Sequence, residues 1–395
     1  MKNKKSQLTM LILLGMTIFL LISIALYLSK LNLNKQNEVK NSQEANFASQ
    51  PIKDYIQQCL DRAGAEALNL IGQQGGYIYT SQGGNLVDFV DADQGIMFTK
   101  NGQYKVAYNV LPPRSDVGLF FSQSPEYPWI TFPYRTQNSA TEEFNGFFGM
   151  GRMPPLTSYQ GPDSIQSQME DFIERSVSKC SLNSFSEQGY SIFVEKPKIS
   201  VVVGDRDVSI RMNYPVHITG ASQQSFDLKD FLSKIDVRLK STYLFAKGII
   251  NDDTSNINFN IADNDNNKDG FIVNVIRDNF KNDDIITVSD TQSLLNGKPY
   301  HYTFSRKNRA PALYYVRDNL LEFEPLHEIT EDDLFRGLEL RKAEDPDEDP
   351  LSYFIKVFDK PAIFPVPLDQ EQIDFILEVT DGQLKDFQVI RVKQG

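Results

Sequence analysis

The chain has 395 residues, 41% of them hydrophobic and 23% charged, which excludes a disordered polymer and leaves enough apolar material for two or three cores. Its net charge is −12, and because residues 1–49 carry six Lys and two Glu, the remainder holds −16. A surface that acidic repels polynucleotides, so no nucleic-acid partner is expected, while divalent cations and basic surfaces are favoured.

The first element is apolar. Leu8 to Leu28 contains no charged residue, and at about 1.5 Å per residue it spans roughly 30 Å, the thickness of a bilayer's hydrocarbon core. A cleaved secretory signal is the alternative, but its apolar region is usually shorter, about 7–15 residues, and Ser29-Lys30-Leu31-Asn32 is a poor cleavage site. The expectation is an uncleaved single-pass anchor in the cell membrane. Lys2, Lys4 and Lys5 before the span favour a cytoplasmic N-terminus and an ectodomain outside the cytoplasm. The run Lys4-Lys5-Ser6-Gln7-Leu8-Thr9 resembles the class III signal peptides of archaeal pilin-like proteins, which implies processing just before Gln7. Those pilins usually carry a Glu at the fifth mature position, where this chain has Leu11.

Residues 31–50, rich in Asn, Gln, Ser and Lys, read as a solvated stalk. Pro51 opens a helix whose apolar residues Ile56, Leu60, Ala63, Ala67 and Leu70 recur at helical spacing, with Gly72 and Gly75-Gly76 to stop it. Short aromatic and β-branched runs follow to about Tyr134. Residues 111–162 form a Pro-broken aromatic segment containing Trp129, Phe144, Phe147 and Phe148, either a binding surface or a loop that packs its own side chains. A second helix is expected over Ser164 to Lys179, with Cys180 continuing its apolar face. Cys59 and Cys180 are the only cysteines, and an even pair suits an oxidising compartment. The expectation is a disulfide that staples the two helices; two buried thiols are the alternative.

From Tyr190 the period changes to two. Ile199, Val201 and Val203, then Val208, Ile210, Met212 and Tyr214, form a hairpin turned at Gly204-Asp205-Arg206-Asp207. Ile235, Val237 and Leu239 suggest a further strand, Ser241 to Asn251 a short helix, and Phe271–Ile276 and His301–Phe304 more strands. Residues 50–305 resemble the ectodomains of uncharacterised archaeal membrane-anchored proteins, which brings no known activity.

The C-terminal segment opens at Ala310-Pro311, passes through Ala343-Glu344-Asp345-Pro346-Asp347-Glu348-Asp349, and closes on Val379-Thr380-Asp381-Gly382 before a last strand. This order resembles the cadherin-like, dystroglycan-type immunoglobulin-like domains, which implies a β-sandwich over residues 308–395. The match departs from the family between Asp359 and Gln370. The fold class expected is an α+β ectodomain followed by an all-β immunoglobulin-like sandwich, on one transmembrane helix. Its parts are 1–30 anchor, 31–50 stalk, 51–188 an α+β domain with two Cys-bearing helices, 189–307 a mainly antiparallel β domain, and 308–395 the sandwich.

Asp345, Asp347 and Asp349 crowd three carboxylates into one turn, and the neighbouring hairpin adds Asp381. Calcium takes six to eight hard oxygens in irregular loops and would relieve that repulsion; otherwise these are turn residues. Asp265, Asn267 and Asp269, with Gly270 next, match the first half of a calcium loop, but Val273 and Ile276 stand where its last ligands belong, so an Asn/Asp-rich turn is the competing reading.

No nucleophile elbow, His-Glu-x-x-His helix or Cys-x-x-Cys pair is present, and His217, His301 and His327 lie far apart in sequence. The expected function is therefore non-enzymatic: a surface protein with a structural, adhesive or ligand-display role and a protein or surface-glycan partner. A pilin-like or envelope-complex subunit assembling through its N-terminal helix is the alternative, with an envelope hydrolase behind it.

Overall fold

The computed structural model describes residues 49–84, 98–112, 149–161, 163–220, 224–256, 258–278, 282–313, 320–338, 343–358 and 360–395, together with Met16, Leu20, Ser23 and Ile24. Gln7, most of the Leu8–Leu28 span, residues 31–48 of the expected stalk, and Trp129, Phe144, Phe147 and Phe148 lie outside the described residues, while residues 49 and 50, expected in the stalk, already belong to the first helix. Among the described residues no helix is long and apolar enough to cross a membrane. The chain is β-rich and mixed α+β, with its strands in several sheets.

It divides into two compact units. The smaller takes Met1–Leu60, Val177–Lys198 and Met212–Phe231; the larger takes Asp61–Ser176, Ile199–Arg211 and Leu232–Gly395. In the smaller unit, the start of a helix over residues 49–73 buries Ile52, Ile56, Cys59 and Leu60. Cys59 is disulfide-bonded to Cys180, with the Cα atoms 6.5 Å apart. The expected staple is present, although Cys180 lies two residues beyond the helix Ile165–Ser178. Tyr55 meets Phe185 edge-on beside it. The strand Ser191–Val194 pairs antiparallel with the end of the strand Val208–Thr219.

The larger unit is built on a six-stranded sheet. Its order is Phe98–Asn101, Tyr104–Leu111, Lys298–Arg306, Asp283–Leu295, Phe271–Asp278, with Met150–Gly151 added to Tyr104–Leu111. The strands Asp283–Leu295 and Lys298–Arg306 form a long hairpin. Its turn, Asn296-Gly297, has positive φ at both residues, as a type I′ turn requires. The helix Leu239–Ser255 lies against this sheet and buries Tyr243, Ala246, Ile249 and Ile250. Leu239 begins that helix instead of ending a strand; the strand here is Ser225–Ile235. A tight turn at Gly75-Gly76 is held by buried Gln168, which accepts from Ile78 N at 2.9 Å and donates to Gly76 O at 3.1 Å. Gly76 has φ +91°, and a Cβ there would stand 2.6 Å from Pro154 and 2.7 Å from the Tyr302 hydroxyl, so only glycine fits.

The C-terminal part carries a five-stranded sheet in the order Leu320–Phe323, Lys385–Gln394, Gln372–Thr380, Ser352–Val357, Lys360–Pro361. Gln372–Thr380 alternates strictly between buried and half-buried residues, as a strand with one face on a core must. That face, including Phe375, Leu377, Val379, Ile390 and Val392, packs against Ile329 and Val366 from the small sheet Glu328–Ile329/Val366–Pro367. The result is sandwich-like: two sheets close on one apolar core. A helix, Glu331–Leu338, stands among these strands. Thr330 and Asp333 cap it reciprocally, Asp333 N donating to Thr330 Oγ1 at 3.2 Å and Thr330 N to Asp333 Oδ2 at 2.8 Å.

Candidate metal centre

Four cationic side chains come from strand ends and the segment after them: Arg277 from Phe271–Asp278, Arg306 from Lys298–Arg306, then Lys307 and Arg309. Facing them are Asp253 from the helix Leu239–Ser255, Asp283 and Asp284 from the start of a strand, and the acidic turn Asp345 to Asp349.

Asp347 is taken up by arginines. Its Oδ2 accepts from Arg309 N at 2.6 Å, and its Oδ1 lies 2.9 Å from Arg309 Nε and 3.0 Å from Arg306 Nε. Arg306 also donates to Asp253 Oδ1 at 2.6 Å and to Asp284 Oδ2. Arg277 donates to Asp349 Oδ1 at 2.6 Å and to the Asp347 carbonyl at 2.8 Å. Asp283 accepts from Lys307 Nζ at 3.1 Å, from Asn308 N at 2.9 Å and from the Tyr108 hydroxyl. Arg309 is fully buried and Arg306 nearly so. Burial alone would weaken the Arg306 charge, but Asp253, Asp347 and Asp284 outweigh it and hold the guanidinium firmly protonated.

The other three carboxylates behave differently. Asp345, Asp349 and Asp381 are buried and each offers an oxygen within 4.8 Å of the other two. Asp345 Oδ1 accepts from Asp347 N at 2.8 Å and Asp349 N at 3.2 Å. Asp381 Oδ1 accepts from Gln383 N and Leu384 N, both at 2.6 Å, while its Oδ2 accepts from Asn308 Nδ2 at 2.9 Å. Thus Asp345 and Asp381 each commit one oxygen to shaping their own turn, and the turn reading holds for that half of each group. The second oxygens of Asp345 and Asp349 are buried with no hydrogen-bond partner among the described residues, as is Asn308 Oδ1.

Among the described residues seven carboxylates therefore meet four cationic groups, an excess of three negative charges if all were ionised, in a largely dry place. The strain of that excess is visible in proton affinity. Burial, reinforced by Asp347, pushes the Asp345 carboxyl up to about 8. Burial also pushes Asp349 up to about 6, against the pull of Arg277. A cation at the three carboxylates would supply the missing positive charge. The donors are all oxygen, which suits a hard ion and not a thiolate- or imidazole-seeking one. The cluster can hold a metal ion, and Asn308 Oδ1 is a neutral oxygen on a side chain already bonded to it.

The remaining sequence candidates do not converge in this way. In the loop of Asp265, Asn267 and Asp269, which are all exposed, Asn267 Oδ1 accepts from Val273 N at 2.8 Å and Asp263 Oδ1 caps Asp265 N at 3.0 Å. His217 is exposed, 2.7 Å from Asp227 and stacked on Phe193. His301 does sit beside a hydroxyl, with Nδ1 2.9 Å from Ser289 Oγ, a cross-strand pair that its linear distance hid. The arginine partners were equally hidden, since Arg277, Arg306 and Arg309 stand more than thirty residues before the acidic turn in sequence.

No protein-family model matches the chain, and no curated protein is detectably similar to it.

Proposed function

We propose that this is a membrane-anchored surface protein with a structural, adhesive or ligand-display role, its C-terminal module a cadherin-like β-sandwich fastened by calcium. In this reading Leu8–Leu28 spans the membrane once with the N-terminus in the cytoplasm, and residues 31–395 face outward toward a protein or surface glycan. The observation that carries the reading is the use of the buried charges. Asp253, Asp284 and Asp347 are consumed by Arg306 and Arg309, which ties the acidic turn to the end of the central sheet. A network of that kind holds the acidic turn and the end of the sheet in a fixed relation, as a structural module requires. Calcium fits the triad because extracellular modules bind it at about 0.1–1 mM through irregular oxygen sets. The acidic remainder suits a cation partner and disfavours nucleic acid.

The experiment is surface proteolysis of intact cells, with and without chelator. External protease should digest the ectodomain while carbonate washing leaves the chain in the membrane, and chelation should expose new cuts around residues 308–350. Soluble mature protein beginning near residue 30, or cutting identical in both conditions, would contradict the reading.

A further inference from the structure

We propose that the groove between the helix of residues 49–73 and the tip of the Asp283–Arg306 hairpin is a binding site for a neutral oligosaccharide. The groove belongs wholly to the larger unit and encloses about 1010 Å³. That is the large end of small-molecule sites, so it suits several linked sugars and not one.

Its first wall is one stripe of the helix, where Asp61, Ala65, Asn69 and Gln73 recur every fourth residue. Its second wall runs from Leu295 to His301. The two walls are locked. Gly72 brings the helix against the hairpin so closely that a Cβ would stand 2.3 Å from the His301 carbonyl. The buried Tyr300 hydroxyl donates to Leu68 O at 3.3 Å across the same contact. The site is therefore preformed, and a ligand need not order it.

The chemistry of the lining selects the ligand class. Among the described lining residues, acidic Asp61 and Glu66 are balanced by basic Arg62 and Lys298, although the chain is strongly acidic. Asn69 and Gln73 both donate and accept. Tyr104 adds a half-buried ring whose hydroxyl accepts from Asn69 Nδ2 at 3.2 Å, fixing amide and ring as one surface. Sugar hydroxyls donate and accept at once, and a sugar's C–H face packs on an aromatic ring; a wall that mixes donors, acceptors and a ring without net charge answers both needs. A phosphate or uronate would need a cationic excess that is absent. A peptide would need sorted apolar pockets, and among the described lining residues the apolar groups are Ala65, Leu295 and Pro299 beside the tyrosines.

The inference rests on the surface-protein reading only in the choice of a glycan as ligand, so its test is independent of topology and cation. The full-length chain, in a zwitterionic detergent without a sugar headgroup, is titrated calorimetrically with maltohexaose, cellohexaose and fully N-acetylated chitohexaose. An oligogalacturonide and a hexapeptide of mixed composition serve as comparisons. At least one neutral hexamer should bind at millimolar concentration or better. Gln73→Ala and Arg62→Ala, both at partly or fully exposed positions that leave the fold intact, should each weaken it about tenfold. Asp349→Asn should bind as the native chain does. The proposal is overturned if no neutral hexamer binds at about 10 mM, a concentration that still detects very weak sites. It is equally overturned if the charged oligomer or the peptide binds more tightly, or if both groove variants bind normally.

Discussion

Replacing Arg309 with Met removes a guanidinium that is completely buried, and its partners have no water to turn to. Arg309 donates from Nε to Asp347 Oδ1 at 2.9 Å and from Nη2 to the Pro346 carbonyl at 2.8 Å, with Asp253 Oδ1 3.2 Å from the same nitrogen. Methionine keeps most of the stem volume and the backbone bond to Asp347, so the substitution isolates the charge. Breaking one side of a buried ion pair costs about 3–5 kcal/mol, because the surviving charge stays desolvated. Arg306 still reaches Asp253 and Asp347, which sets the expectation at the lower end, about 3 kcal/mol. The control is Arg391→Met. Its pair with Asp374 is roughly half exposed on both sides, and solvent screening leaves such pairs with little effect on stability. The assay is guanidinium unfolding followed by far-ultraviolet circular dichroism on the full chain. Equal midpoints for the two variants would refute the reasoning, because the network would then be no more than surface charge.

Three other expectations are independent of that one. Without a cation, the raised folded-state values of Asp345, about 8, and Asp349, about 6, mean that the folded protein holds protons the unfolded chain has released. Stability is thus fully present below about pH 4 and is lost as pH rises through 6 and then 8; melts in chelator at pH 5 and pH 9 should show the loss, and the double variant Asp345→Asn/Asp349→Asn should flatten it. Replacing Cys59 and Cys180 with Ser opens a loop with a sequence separation of 121, which the chain-entropy model values at about 4–5 kcal/mol as an upper figure; urea midpoints unchanged from the native chain would contradict it. Gly76→Ala should destabilise by well over 1 kcal/mol, since it combines positive φ with two close contacts, whereas Gly297→Ala, with positive φ but open space, should cost about 1 kcal/mol; thermal melts that rank the two the other way would remove the steric argument.

Much of the local structure was legible because single segments carried it. The strand before Gly204–Asp207 and the helix Ile165–Ser178 stand within a residue or two of where alternation and helical spacing put them, and the strand after the turn starts at Val208 as read but runs on past Tyr214 to Thr219. The strand Asp283–Leu295 was not legible, for a physical reason: Asp283, Asp284 and Asp290 look like loop residues until Lys307, Arg306 and Arg238 neutralise them from other elements. The Asn296-Gly297 pair was the available signal for its hairpin. Acidic spacing drew attention to the turn at Asp345 and to Asp381. It could not say that Asp347 belongs to arginines while Asp345 and Asp349 keep oxygens with no hydrogen-bond partner among the described residues. That division depends on side chains that only the tertiary fold brings together. The helix Glu331–Leu338 carried its own mark in Thr330-x-x-Asp333, a capping box inside a stretch read as strands.

A calcium ion proposed at Asp345, Asp349 and Asp381 is checked by calorimetric titration of the chelator-treated full-length chain. One site with a dissociation constant of about 0.1–1 mM is expected, with an accompanying gain of about 1.4 kcal/mol in folding stability at ten times that concentration. Asp345→Asn/Asp349→Asn should abolish both. An absence of binding heat at several millimolar calcium, or the same heat from the double variant, would mean that the three carboxylates hold protons and turns, and no metal.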